Sequence, residues 1–132
     1  MALNIDLAYN TQEKAMADAV EQKFQEISSD FKERIVSYTC SNGITMDAGM
    51  LDILQFERGL GLVISGGGAE IEVTDVTNSV HLVTAQAAEG MITELIANYV
   101  TLFGRKTALR KLVNAATTIA EIQAINWDTR LD

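Results

Sequence analysis

The 132 residues include no proline, one cysteine and one histidine, and only 6% of them are aromatic. Without proline there is no proline-rich linker and no PPII recognition segment. Cys40 alone closes no intrachain disulfide, and Met1 to Tyr9 lack the charged start and apolar run of a secretory signal. The chain therefore reads as cytosolic. One cysteine and one histidine fall short of the four ligands of a structural zinc site. No apolar run approaches the roughly 20 residues that a membrane-spanning helix needs. Basic residues are also scarce, ten against 18 acidic ones, for a net charge of −8. The sequence pI is near 4.5, so nucleic acid and anionic membranes would on average be repelled.

What is present is apolar material, 48% of the residues, in a length that suits one folded body with a real core. Leu3, Ile5, Leu7 and Tyr9 alternate with Asn4, Asp6 and Ala8, which predicts a short N-terminal strand. Asn10 or Thr11 then caps a helix that runs to about Arg34, with Glu13 in its first turn. Ala17, Val20, Phe24, Ile27 and Phe31 recur by threes and fours in one narrow stripe. At 1.5 Å per residue such a helix is about 36 Å long, enough for part of it to overhang a body of this size. The stripe packs within its own chain or against a partner helix, and the arm of Leu3, Ile5 and Leu7 pairs with its own domain or adds to a partner's sheet edge.

Ile35 to Thr39, Asn42-Gly43 and Ile44 to Met46 predict a first hairpin. Asp47 caps a short helix through Met50, Leu51 and Leu54 that ends at Gly59 and Gly61, followed by the apolar run Leu60 to Ile64. Ser65 to Gly68 reads as a flexible turn between strands, and residues 69–83 as a second hairpin. Thr84 caps a core helix carrying Ala88, Met91, Ile92, Leu95, Ile96, Tyr99, Leu102 and Phe103. Gly104 breaks or bends it, and Leu109, Leu112, Val113 and Ala116 continue one face. Thr118 and Glu121 form a capping box for a last short helix of Ile119, Ile122 and Ile125, over whose end Trp127 folds back. The expected class is α+β: a long N-terminal helix, two short β-hairpins forming a small antiparallel sheet, and a C-terminal helical hairpin. Residues 1–34 form the arm and long helix, and 35–132 the compact α+β domain.

Catalytic readings fare poorly against structural ones. His81 lies in an alternating strand with no nucleophile motif nearby in sequence, and Cys40 reads as a small apolar residue at a strand end. The glycine run lacks the lysine and spacing of a phosphate cradle. Glu70, Glu72 and Asp75, with His81, offer oxygen ligands for a hard cation, but the outer face of a hairpin explains the same residues. Neither a cofactor nor a metal is expected. Arg105, Lys106, Arg110 and Lys111 concentrate positive charge on one helix, an edge suited either to solvent or to an acidic partner.

The C-terminal half carries a resemblance. Thr84, the long helix, Gly104-Arg105-Lys106, Leu109 and the run Leu112 to Ile125, with its Thr118-x-x-Glu121 helix start, resemble the domain of unknown function that closes many tailed-phage tail-fibre and tail-fibre-assembly proteins. Lys32-Glu33-Arg34, Asn42-Gly43 and Asp47 are similar to the same domain, so the likeness spans about residues 31–127. The family has no catalytic residues to carry over. The resemblance implies a noncatalytic bacteriophage tail protein: a tail-fibre assembly chaperone or accessory protein in the host cytoplasm, or a structural subunit retained in the virion tail or baseplate. The partner-facing set is then Leu3, Ile5, Leu7, Val20, Phe24, Ile27 and Phe31 with Arg105, Lys106, Arg110 and Lys111, the partner being a tail-fibre or other tail protein. Homo-oligomers through the N-terminal helix are a further expectation.

Overall fold

A computed structural model of the chain describes the backbone of residues 2–131 and the side chains of residues 11–131. Its order is α1 (Ala2–Arg34), β1 (Ser37–Thr39), β2 (Thr45–Asp47), α2 (Met50–Ser65), β3 (Glu70–Thr74), β4 (Val80–Thr84), α3 (Ala85–Ala115) and α4 (Ile119–Ala124). The class is α+β, with a long N-terminal helix, two hairpins and C-terminal helices. The hairpins do not merge: each is its own two-stranded antiparallel sheet. A single backbone bond, from the Val76 amide to the Thr45 carbonyl at 3.0 Å, ties one to the other.

Packing divides the chain into two compact units, one made of residues 1–31 with 104–132 and the other of residues 32–103. The second unit holds the larger core. Cys40, Met46, Ala48, Ile53, Val73, Met91 and Leu95 are buried together, with Leu60, Ala88 and Ile92 beside them. Residues 85–103 of α3 therefore meet both hairpins and α2, as the spacing of Ala88, Met91, Ile92 and Leu95 requires. Glu94 clamps the first hairpin, its carboxylate accepting from the Ser41 amide at 2.9 Å and the Ser41 hydroxyl at 3.0 Å. The turn of that hairpin closes as Asn-Gly chemistry predicts: Gly43 sits at φ +88° and donates to the Cys40 carbonyl, and the Asn42 side chain accepts from the Ile44 amide.

Four local expectations are overturned. The alternating segment 3–9 is not a strand, because α1 already runs from Ala2. No proline or glycine separates it from the helix that follows, and extending a helix by one residue gains a hydrogen bond without a new nucleation cost. Asn10 and Thr11 accordingly lie inside the helix and do not cap it. The second correction concerns α2, which passes through Gly59 and Gly61 to Ser65. Each interior glycine costs about 1 kcal/mol relative to alanine, but buried Ile53 and Leu60 with half-buried Phe56 and Val63 hold one helical face against the core. Its N-cap is Gly49, whose amide meets the Asp52 carboxylate at 3.3 Å, while Asp47 is paired with Ser37 in the first sheet.

Gly66, Gly67 and Gly68 form a helix exit and not a turn between strands, with their amides donating to the carbonyls of Leu62, Ile64 and Val63 at 3.1, 2.9 and 2.9 Å. Gly67 adopts φ +84°, and a Cβ on Gly68 would come within 2.7 Å of Val63 Cγ1. Gly67→Ala is expected to destabilise the chain by about 1 kcal/mol, read as a lower urea midpoint at unchanged slope. Finally, of the two effects expected of Gly104, a break is absent: α3 is one 31-residue helix. The boundary between the two units nonetheless falls there, between Phe103 and Gly104.

The second hairpin and both late caps match their sequence signals. β3 and β4 pair from Glu70 with Thr84 to Thr74 with Val80. The Ala87 amide donates to Thr84 Oγ1 at 3.0 Å, and the Glu121 amide to Thr118 Oγ1 at 3.1 Å. The return half of the capping box differs: the Glu121 carboxylate takes the Thr117 amide at 2.9 Å, one residue earlier than the box predicts.

Candidate interaction surface

In the unit built from both chain ends, α1 and the last turns of α3 run antiparallel. Lys106 Nζ lies 4.7 Å from the centre of the Phe31 ring. One turn further along α3, Arg110 Cζ lies 5.4 Å from the centre of the Phe24 ring, with Nη2 donating to Ser28 Oγ at 2.9 Å. The basic edge and the apolar stripe, expected as two surfaces for a partner, thus meet each other. A cation over an aromatic face is worth about 0.5–2 kcal/mol, more as water is excluded. Ile27 and Phe31 are buried at 1% and 5% exposure, so they are core and not a docking face.

Arg105 is also engaged within the chain. Its Nε donates to the Trp127 carbonyl at 2.5 Å and its Nη2 to the Thr129 carbonyl at 2.7 Å, and its guanidinium lies 5.9 Å from the centre of the Trp127 ring. Of the four expected basic residues, only Lys111 is exposed, and Arg105, Lys106 and Arg110 are half-buried. Lys23 is a further cation of this unit, not among the expected basic residues. It is buried, donates to the Ile125 carbonyl at 2.6 Å and pairs with Glu26 at 2.8 Å. Its signal was its place within the stripe, three residues after Val20 and four before Ile27.

The antiparallel register leaves α1 longer than its partner. α3 ends at Ala115, five residues past Arg110, and α4 reaches α1 near Ala19, Gln22, Lys23 and Glu26. Toward its N-terminus α1 continues past both. From Thr11 to Asp18 every side chain except Met16 is exposed. Along this stretch Met16, Ala17, Val20 and Phe24 line a shallow apolar groove bordered by Glu13 and Glu21. Val20 and Phe24 were expected in a partner-facing set, whereas Met16 and the two acidic borders were not. The side chains of Leu3, Ile5 and Leu7 lie outside the described residues. Their backbone is helical, which removes the strand-addition mode expected of the arm.

The remaining chemical candidates resolve into structure. The Asp75 carboxylate organises the turn between β3 and β4: Oδ1 accepts from the Thr77 amide, the Thr77 hydroxyl and the Ser79 amide at 2.8, 2.7 and 3.0 Å, and Oδ2 lies 2.8 Å from His81 Nε2. The Thr77 hydroxyl first, then His81 and the two amides, hold this carboxyl well below the usual carboxylate range. Glu70 and Glu72 point outward from the same hairpin, and among the described residues no cluster of three or more His, Cys, Asp and Glu side chains is placed to hold a metal ion.

Cys40 is 2% exposed, and burial together with the nearby Glu94 carboxylate pushes its thiol up to about 11. The thiolate is the reactive form, so at pH 8 the native thiol is expected to react with an aromatic disulfide reagent at least ~100-fold more slowly than the unfolded chain. Release of the coloured thiol with and without guanidinium measures the ratio.

No protein-family model matches this chain, and neither does any curated protein or solved structure. Among the described residues no helix is long and apolar enough to cross a membrane.

Proposed function

We propose that this chain is a noncatalytic binding protein of a bacteriophage tail, acting in the host cytoplasm as a chaperone or accessory protein for the tail fibre. The observation that carries the reading is the apolar groove of Met16, Ala17, Val20 and Phe24, which starts on the stretch of α1 that runs past the ends of α3 and α4. An amphipathic helix presented in this way supplies i, i+4 anchors to another helix or to a hydrophobic cleft. The acidic borders at Glu13 and Glu21 favour a partner whose groove is rimmed by lysine or arginine. The tail context rests on the resemblance of residues 31–127 to the domain that closes tail-fibre-assembly proteins.

The test is co-purification with the fibre protein expressed alongside it. Met16→Asp with Val20→Asp is expected to weaken fibre capture at least ~10-fold, as losing two apolar anchors at roughly 1–2 kcal/mol each requires. The Trp127 fluorescence and helical circular dichroism should stay unchanged. Undiminished capture by this variant would reject the surface. Detection of the protein at fixed stoichiometry in purified particles would make it a retained tail subunit instead of a chaperone.

A further inference from the structure

α2 is apolar on two opposite faces. One face, with Ile53 and Leu60, belongs to the core. On the other, Leu51, Leu54 and Leu62 are 67%, 51% and 70% exposed and line a shallow depression with Glu57, Arg58 and Gly61. Scattered exposed leucines need no explanation, but here three fall on one helical stripe that no other described residue covers.

The order of residues along the stripe suggests what does. Its centre is an adjacent acid and base, Glu57 and Arg58, and outward from that centre Leu54 stands on one side and Gly61 on the other at equal distances along the chain. The centre of the stripe, Leu54, Glu57, Arg58 and Gly61, is complementary to itself when turned end for end, with Leu51 then facing the half-exposed Ile64 of the other copy and Leu62 left at the margin. A two-fold axis between residues 57 and 58 sets Glu57 of each copy beside Arg58 of the other, twice. The same axis sets each Leu54 over the other copy's Gly61, where open space surrounds the missing side chain and lets the helices approach. Parallel alignment would instead stack Glu57 on Glu57 and Arg58 on Arg58. We propose that the outer face of α2 binds the same face of a second copy of this chain, antiparallel and two-fold symmetric, which is the closed arrangement that most homodimers adopt.

The 16 residues of α2 give a contact about 24 Å long. One helix pair of that length lies at the small end of specific interfaces, so the dimer is weak and concentration-dependent. At ~200 µM, sedimentation equilibrium should report a mass approaching twice the 14.4 kDa of one chain, falling toward one chain on dilution to ~1 µM. Leu54→Glu should raise the dimer dissociation constant at least ~10-fold without altering the fold, since the side chain is already exposed. Glu57→Arg should weaken the dimer similarly, and adding Arg58→Glu to it should restore association, which a merely structural role for either residue would not do. A wild-type protein that stays monomeric at ~200 µM overturns the proposal. So does a dimer indifferent to Leu54→Glu, or one that the paired charge reversal fails to rescue.

Discussion

Arg105→Ala should release the C-terminal segment and shift the emission of the only tryptophan in the chain to the red. Trp127 is 7% exposed, and its backbone carbonyl, that of Thr129 and its own ring are all held by the Arg105 side chain. Two charge-assisted hydrogen bonds and a cation over an indole make the expected cost about 3 kcal/mol. Arg105→Lys should recover little of it, because one ammonium cannot reproduce a fork that reaches two carbonyls while lying over a ring. The measurement is an equilibrium guanidinium titration followed by tryptophan emission. A native spectrum and an unchanged midpoint in Arg105→Ala would show that the C-terminal segment is held by something else.

A loss of similar size is expected from Leu109→Ala. Leu109 is 0% exposed, in the unit that also buries Ile27, Val113 and Ile122. Truncating a fully enclosed leucine costs the transfer of its methyl groups and the cavity that remains, about 3 kcal/mol with a range of 2–5. The other unit has a separate core around Met91 and Leu95, so the effect should be local. Amide exchange should accelerate at residues 19–31 and 104–125 while the amides of β3 and β4 keep their protection. Uniform acceleration across both units would contradict the division of the core.

The elements that the sequence made legible are those where local and tertiary preferences agree. The Asn42-Gly43 turn, the alternating β3, the Thr84 and Thr118 caps and the stripe of Ala88, Met91, Ile92 and Leu95 each had one physical solution, and each is observed. Where the reading failed, a local signal was outvoted by packing. Gly59, Gly61 and Gly104 are stop signals for an isolated helix, yet each lies inside a helix whose apolar face is anchored on both sides of it. Leu60 to Ile64 read as an apolar run beyond the helix because α2 is apolar on two faces, which hides the helical period.

The candidate surface was half legible. Val20 and Phe24 were identified by their spacing, but nothing in a single stripe says where the partner helix stops. That end, at Ala115, decides that Ile27 and Phe31 are covered while Met16 and Val20 border open solvent. Pairing of the basic residues with the aromatic ones was invisible for a related reason. Phe24 and Arg110, like Phe31 and Lys106, are far apart in sequence and adjacent only after the chain has folded back on itself.

That return of the chain has a consequence during synthesis. The unit holding α1 needs residues 104–132, which leave the ribosome after residues 32–103, and the latter contain everything their own core requires. Vectorial production should therefore complete the middle of the protein first, with Ile27 and Phe31 still waiting in water for their cover. A chain stalled or cut at Phe103 would carry a finished centre and a helix α1 without the residues that lie over Phe24 and Phe31. Such a fragment would expose apolar surface that chaperones and proteases recognise.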